Sequence, residues 1–248
     1  MHLKPIYCEK YPPDSFSWTL DKLLFPYATK LIPILIQKCA VSEQVNISKG
    51  ATRSQNYAEV EQETLEKTKH SEFLRVGYKI VENDNFPVVD LKEICNRVGT
   101  IIRTGVGINQ RGVAMNFGAR MCLKWKTALS DGVGKLLAPT IALLASDSNA
   151  LRIEAASSVT LMIGAASDKT KSNFCARVEK NYFEYAQAGT ESTLGTAIAS
   201  SAKKLNEDQR PQMAALCWLG RFDKTQDREL KSNLRVGIAS SLKELLLF

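Results

Sequence analysis

Glycines paired closely or set beside a lysine are the first places to look for phosphate chemistry, because backbone N–H groups in such turns can cradle an anion. Gly132-Val133-Gly134-Lys135-Leu136 supplies the lysine. A phosphate loop of the GxxxxGK[ST] kind also needs a glycine at the position of Leu129 and a hydroxyl at that of Leu136, which excludes it. Gly105-Val106-Gly107 is a lone GxG between helix-forming stretches. With no strand before it, it reads as a tight interhelical turn and not as a dinucleotide site. Acid–base and metal chemistry have as little to work with. The histidines are His2, near the terminus, and His70, in the charged run Lys69-His70-Ser71-Glu72. Cys8, Cys39, Cys95, Cys122, Cys175 and Cys217 lie far apart, with no CxxC spacing and no HExxH. The expectation is a non-enzymatic chain with no catalytic, cofactor-binding or metal-binding residues. Met121-Cys122-Leu123 and Leu216-Cys217-Trp218 place thiols in apolar surroundings, as buried cysteines of a reducing compartment.

The chain of 248 residues carries 33 Lys+Arg against 26 Asp+Glu, a formal charge of +7. Lys203 and Lys204 form an adjacent pair, but most other bases are scattered among acids. That is a solvated basic surface and not the clustered stripe of a nucleic-acid binder. The longest apolar stretch, Leu23 to Val41, is interrupted by Pro26, Lys30, Pro33 and Lys38, which argues against a membrane span. Met1 to Phe16 lacks the apolar run of a signal peptide. Trp18, Trp125 and Trp218 read as core residues.

What must position these residues is helix. The pattern divides the chain into an N-terminal helical segment (1–41), a polar linker with a charged helix (42–87) and a long helical array (88–248). In the first, Leu20, Leu23, Leu24, Tyr27, Leu31, Ile34 and Leu35 recur at helical spacing, with Pro26 near a first turn. In the second, Ser42 to Asn56 reads as a loop and Tyr57 to Ile80 as one charged helix that ends before Pro87. In the third, turn signals recur at Thr104-Gly105-Val106-Gly107, Ser146-Asp147-Ser148 and Ala188-Gly189-Thr190, each 42 positions after the last. Ser130, Asp168 and Asn206 are candidate N-caps between the pairs. The expectation is about four antiparallel pairs: 90–103 with 109–126, 131–145 with 149–166, 171–187 with 191–205, and 208–221 with 226–247.

A period of this length built from helix pairs is the signature of HEAT and armadillo repeats, so the predicted fold is an all-α solenoid of HEAT-type pairs. One pair resembles the HEAT consensus closely. Asp147 closes a turn, Arg152 follows in the next helix, and Ala155, Ala156, Val159, Leu161, Ile163 and Gly164 let that helix approach its neighbours. The expected roles are an Asp that binds free N–H groups at the helix start and an Arg that reaches an Asp of the adjacent repeat. In the preceding pair Arg111 holds the Arg position, while Gly105 stands in place of the Asp and Gly107 completes the turn. Pairs of this kind cannot bury their apolar faces alone, so they stack and present a long concave surface suited to protein partners.

The run Ile101-Ile102-Arg103-Thr104-Gly105-Val106-Gly107-Ile108-Asn109, continued by Gln110-Arg111-Gly112-Val113-Ala114, resembles a run in the large HEAT-repeat proteasome adapter and scaffold proteins. The resemblance extends through Leu137-Ala138-Pro139, Asp147-Ser148-Asn149 and Glu154 to Gly164. It then runs through Lys180-Asn181-Tyr182-Phe183-Glu184 to Leu216-Cys217-Trp218-Leu219-Gly220, covering Val88 to Lys224. It implies a scaffold of the cytoplasm and nucleus that binds core and regulatory particle subunits of the 26S proteasome and tethers them, with no cofactor. Members of that family are many times longer, so the chain is expected to be a fragment or a short relative. The competing reading from the solenoid pattern alone is a transport-receptor-like adaptor unrelated to the proteasome.

Overall fold

The computed structural model describes residues 23–47, 57–174, 176, 191–202, 204–205, 226 and 228–246. A 3-10 turn at Phe25–Tyr27, opened by Pro26, leads into α1 (Ala28–Ile47). There follow α2 (Tyr57–Lys69), α3 (Glu72–Val81), α4 (Val88–Thr104), α5 (Gly107–Trp125), α6 (Ser130–Leu143) and α7 (Asn149–Ile163). Another helical stretch occupies 168–174, and α8 (Glu191–Ala202) and α9 (Arg228–Leu246) complete the described chain. No strand occurs among the described residues. The turns at 188–190, the cap at Asn206 and the stretches 180–184 and 216–220 lie outside them.

The helices form two layers. In the first, α1 packs on α4 and α4 on α6, and residues 170–174 flank α6. In the second, α3 packs on α5, α5 on α7, α7 on α8 and α8 on α9. Each first-layer helix returns as its second-layer partner: α1 packs on α3, α4 on α5 and α6 on α7. Packing therefore runs across Pro87 without interruption, and α1 also touches α5.

The burial pattern explains the stacking. On α4 the buried set is Leu91, Ile94, Cys95, Val98, Ile101 and Ile102, an apolar stripe at 3.6-residue period. On α5 Gly112 to Met115, Phe117 to Ala119, Met121 and Cys122 are all buried, so this helix is covered on nearly every side. α1, α2, α3, α4 and α7 lie around it, and its exposed edge carries Arg120, Leu123 and Lys124.

Two prolines shape the first layer. Pro33 lies inside α1 and Pro139 inside α6. Lacking an N–H, Pro139 leaves the carbonyl of Lys135 without its helical donor. That oxygen faces α4 at Gly99, where a Cβ would stand 2.3 Å from it. Glycine there lets the two backbones meet, with Cα–H groups against the freed carbonyl.

The bounds of α4 to α7 fall close to those the pattern predicts, and most of the expected helices 171–187 and 208–221 lies outside the described residues. Four details along the chain differ. α1 runs on through Ile47, well into the stretch expected to be loop, because adding residues to a formed helix costs little. The charged helix of 57–80 is two helices, broken at His70 and Ser71. Ser71 accepts the Phe73 N–H and so caps α3. Ser130 is the first residue of α6 and makes no cap bond. The 3-10 turn Lys126–Leu129 runs straight into α6 and leaves no extended residue between them. At 168–174 the capping hydroxyl is that of Ser167, which accepts the Thr170 N–H, one residue ahead of Asp168.

Lys126 links α5 to that 3-10 turn with φ 42° and ψ −120°, a left-handed conformation that side chains resist. Lys126→Gly is expected to raise stability by about 1 kcal/mol, the relieved strain less glycine's extra unfolded-state entropy. Thermal unfolding followed at 222 nm reads this, and an unchanged or lowered midpoint contradicts it. Gly99→Ala is expected to cost about 2 kcal/mol or more, since its methyl meets backbone and not a yielding side chain. Urea titration tests this, and a loss below about 0.5 kcal/mol would show that α4 and α6 can part cheaply.

Candidate functional site

The structure places Gly105, Gly107, Arg111, Asp147 and Arg152 at the two connections between layers. Gly105 ends α4, and Gly107, at φ 73°, opens α5 in a backbone region that glycine enters freely. Gln110 reaches back to accept the Val106 N–H at 2.9 Å, half of a capping box. The Arg111 Nε donates to the Ile102 carbonyl at 3.0 Å. Arg152 does the equivalent work in the next pair, donating to the carbonyls of Ser146 at 2.7 Å and Asp147 at 3.0 Å. Its other nitrogen reaches the Asn149 Oδ1. Both arginines thus stitch the turn of their own pair, where the consensus pattern predicts a link to the adjacent repeat. Asp147 is exposed, and the cap of α7 is Ser148, whose hydroxyl accepts the Leu151 N–H.

The links between pairs lie elsewhere, in residues the motif search does not single out. The Tyr78 hydroxyl on α3 donates to Asn116 Oδ1 on α5 at 2.9 Å. The Asn116 amide donates to Glu154 Oε1 on α7 at 3.2 Å, and Ser158 adds a bond to the same oxygen. Beside this column Arg120 pairs with Glu82 at 2.7 Å, and Lys124 pairs with Asp84. The Arg120 guanidinium lies 3.7 Å over the Tyr78 ring, which also stacks on Phe117 at 5.1 Å. The Trp125 indole N–H donates to the Val81 carbonyl at 2.7 Å.

Tyr78, Asn116 and Glu154 are 38 residues apart in sequence, whereas α5, α7 and α8 begin 42 apart. Between α5 and α7 the difference is about one helical turn, so α7 is staggered on α5 along the axis by roughly 6 Å. The signal was present in the sequence as a tyrosine, an asparagine and a glutamate at constant spacing. It is a weak one, because it differs from the period of the turns.

Glu154 ends the column and is buried, with 6% of its surface exposed. A carboxylate so placed needs a cation, and the cation comes from α2. Lys69 Nζ stands 2.6 Å from Glu154 Oε2 and 2.7 Å from Glu66 Oε1. Burial alone pulls the Lys69 pKa down. Hydrogen bonds and charge from Glu154 and Glu66 outweigh it and hold the ammonium above its ordinary value. Burial raises the Tyr78 pKa, so the column keeps a neutral phenol as its donor.

α2 belongs to neither layer. It is inserted in the connection between α1 and α3 and lies across α5 and α7. Glu61 accepts from the Ser148 hydroxyl at 2.9 Å, at the N-terminus of α7, where the helix dipole favours an anion. Leu65, fully buried, fills the space a side chain would take at Gly112, where a Cβ would stand 2.5 Å from its Cδ1. Glu61, Leu65 and Lys69 are four residues apart and form one face of α2.

Among the described residues no group of three or more His, Cys, Asp or Glu could hold a metal ion, and no helix is long and apolar enough to cross a membrane. Cys39, Cys95 and Cys122 are buried and in no disulfide, and burial pushes the pKa of Cys95 up to about 12. His70 is exposed.

Side-by-side helix pairs in two layers, each pair completing the core of the next, define an α-solenoid. Residues 24–183, more than half of the chain, match the family described as proteasome adapter and scaffold protein ECM29, HEAT-repeat domain. The chain belongs to that family. The match begins in the first helical segment, ahead of the Val88 at which the sequence resemblance starts, and takes in α1, α2 and α3. It ends before the Leu216 to Gly220 stretch. No curated protein and no solved structure matches the chain.

Lys69→Met is expected to cost about 3 kcal/mol, because it strands the Glu154 carboxylate in the core. Lys69→Met with Glu154→Met should recover most of that loss. The raised Lys69 pKa also sets a sign with pH. Its contribution is complete below the unfolded lysine value of about 10.4 and fades as pH climbs through the folded value. The stability gap between wild type and Lys69→Met should therefore narrow above about pH 10.4, while the Tyr78 titration, common to both, cancels. Urea midpoints from pH 8 to 11.5 check this, and a constant gap contradicts it.

Proposed function

We propose that this chain is a non-enzymatic scaffold that binds the 26S proteasome through its helix-pair array and stabilises the association of core and regulatory particles. The observation that carries the reading is the family match over residues 24–183. The described architecture supports it in kind. The polar second layer exposes Arg120 and Lys124 beside Glu82 and Asp84, side chains that can exchange internal partners for those of another protein. Surface pairs of this sort are worth about 0–1 kcal/mol each, so their loss to a partner costs the fold little. The working compartments under this reading are the cytoplasm and nucleus, where proteasomes act.

The test uses purified chain and purified 26S proteasome on a glycerol gradient. The chain should co-migrate with proteasome particles and slow their separation into core and regulatory particle when ATP is withdrawn. Arg120→Glu with Lys124→Glu should weaken co-migration severalfold while leaving the helical signal within a tenth of wild type. A chain that stays at the top of the gradient, at concentrations well above those of the particles, removes the proteasome from the account.

A further inference from the structure

We infer that α2 is an internal stand-in for a partner helix: it occupies a docking groove formed by α5 and α7, and a helix of another protein presenting a leucine, with a lysine four residues later, displaces it. The groove has three features at one-turn spacing along α2. They are the Ser148 hydroxyl at the N-terminus of α7, the hollow over Gly112, and the Oε2 of the buried Glu154. A carboxylate, an apolar side chain and an ammonium group fill them in that order, from Glu61, Leu65 and Lys69. That order defines the chemistry of any replacement, because a helix brings i and i+4 side chains to one face.

Three observations make α2 an occupant and not a member of the array. The connection that holds it spans residues 48–71, whereas α4 and α5 are joined by two residues and α6 and α7 by five. The contacts of α1 with α3, α3 with α5 and α5 with α7 are made without it. Its contacts with α5 and α7 include one large buried side chain, Leu65, and two polar links, Glu61 to Ser148 and Lys69 to Glu154, and it also touches α1. A buried ion pair adds little net stability over apolar packing and discriminates strongly between partners. Such a contact suits exchange. The C-terminal end of α2, next to Lys69, is also tied to α1, since the Thr68 carbonyl accepts from Cys39 Sγ at 3.1 Å. Displacement therefore also releases the Cys39 to Thr68 bond and the contact of α2 with α1.

This reading does not depend on the proteasome, and its test contains none. A fluorescein-labelled peptide of residues 57–71 is titrated into the full chain and into the full chain carrying Leu65→Ala with Lys69→Ala, and followed by anisotropy. The peptide should bind the double variant at least tenfold tighter than wild type. The same peptide with Lys69→Glu should not bind, and Gly112→Leu in the double variant should abolish binding by filling the hollow. Equal binding to wild type and variant overturns the proposal, as does loss of the cooperative helical unfolding transition in the double variant. A second measurement needs no variant: in native-state hydrogen exchange on wild type, α2 amides should exchange at least tenfold faster than those of α3, α5 and α7. Equal protection across all four overturns it.

Discussion

Every helix in the array has two apolar sides, and only one of them can face its own partner. That constraint organises the rest. α4 buries one edge of its stripe against α5 and the other against α1 and α6. α5 is buried on all but the edge that carries Arg120 and Lys124. A pair alone would leave the outer part of this surface in water, at roughly 25 cal/mol per Å². Stacking is the only way to cover it, and the chain stacks. Close stacking then demands that bulk be removed where backbones meet. Gly99 opposite the carbonyl freed by Pro139 is the sharpest instance, because the same site both lacks a helical donor and receives a neighbour.

The two layers solve the stacking problem differently. Between α4 and α6, Cys95 lies against Gly132 and Gly99 against the Lys135 carbonyl, an apolar and a backbone contact. Between α3, α5 and α7 a polar column runs through the packing, and its bonds fix the stagger of one helix on the next. An apolar contact tolerates sliding by a fraction of a turn. A hydrogen bond from Tyr78 to Asn116 does not, since its strength falls steeply with distance and angle. The second layer therefore carries the register of the stack, and the first layer follows it through the short turns held by Arg111 and Arg152.

How much of this was legible in the sequence follows from the range of each interaction. The bounds of α4 to α7 were legible because period and turn chemistry are local: the stripe of Leu91 to Ile102, the glycines at 105 and 107, and the Ser146 to Ser148 turn. The positions of Arg111 and Arg152 were legible for the same reason. Their targets were not. Whether a guanidinium turns to its own pair or to the next is decided by the distance of a few carbonyls, which no spacing reports. α2 shows the limit most clearly. Its few apolar residues read as a solvated helix beside a linker. Its placement depends on Ser148 and Glu154, each more than eighty residues away.

The cost of carrying register in polar groups is that every one of them must be satisfied. Tyr78 and Asn116 satisfy each other, but a column of hydrogen bonds has an end, and here the end is a carboxylate. Glu154 cannot be left bare in the core, and α8, the next helix of the layer, is not what supplies its cation; Lys69 of α2 is. The array is thus closed on itself by a segment outside its own repeat. A solenoid that ends its polar column within the repeats has no such dependence, and its surface is inert to a basic helix. By ending the column on α2, this chain ties the internal register of its second layer to whichever lysine sits over Glu154. A helix that takes that position acts on the stack from within its hydrogen-bonded core.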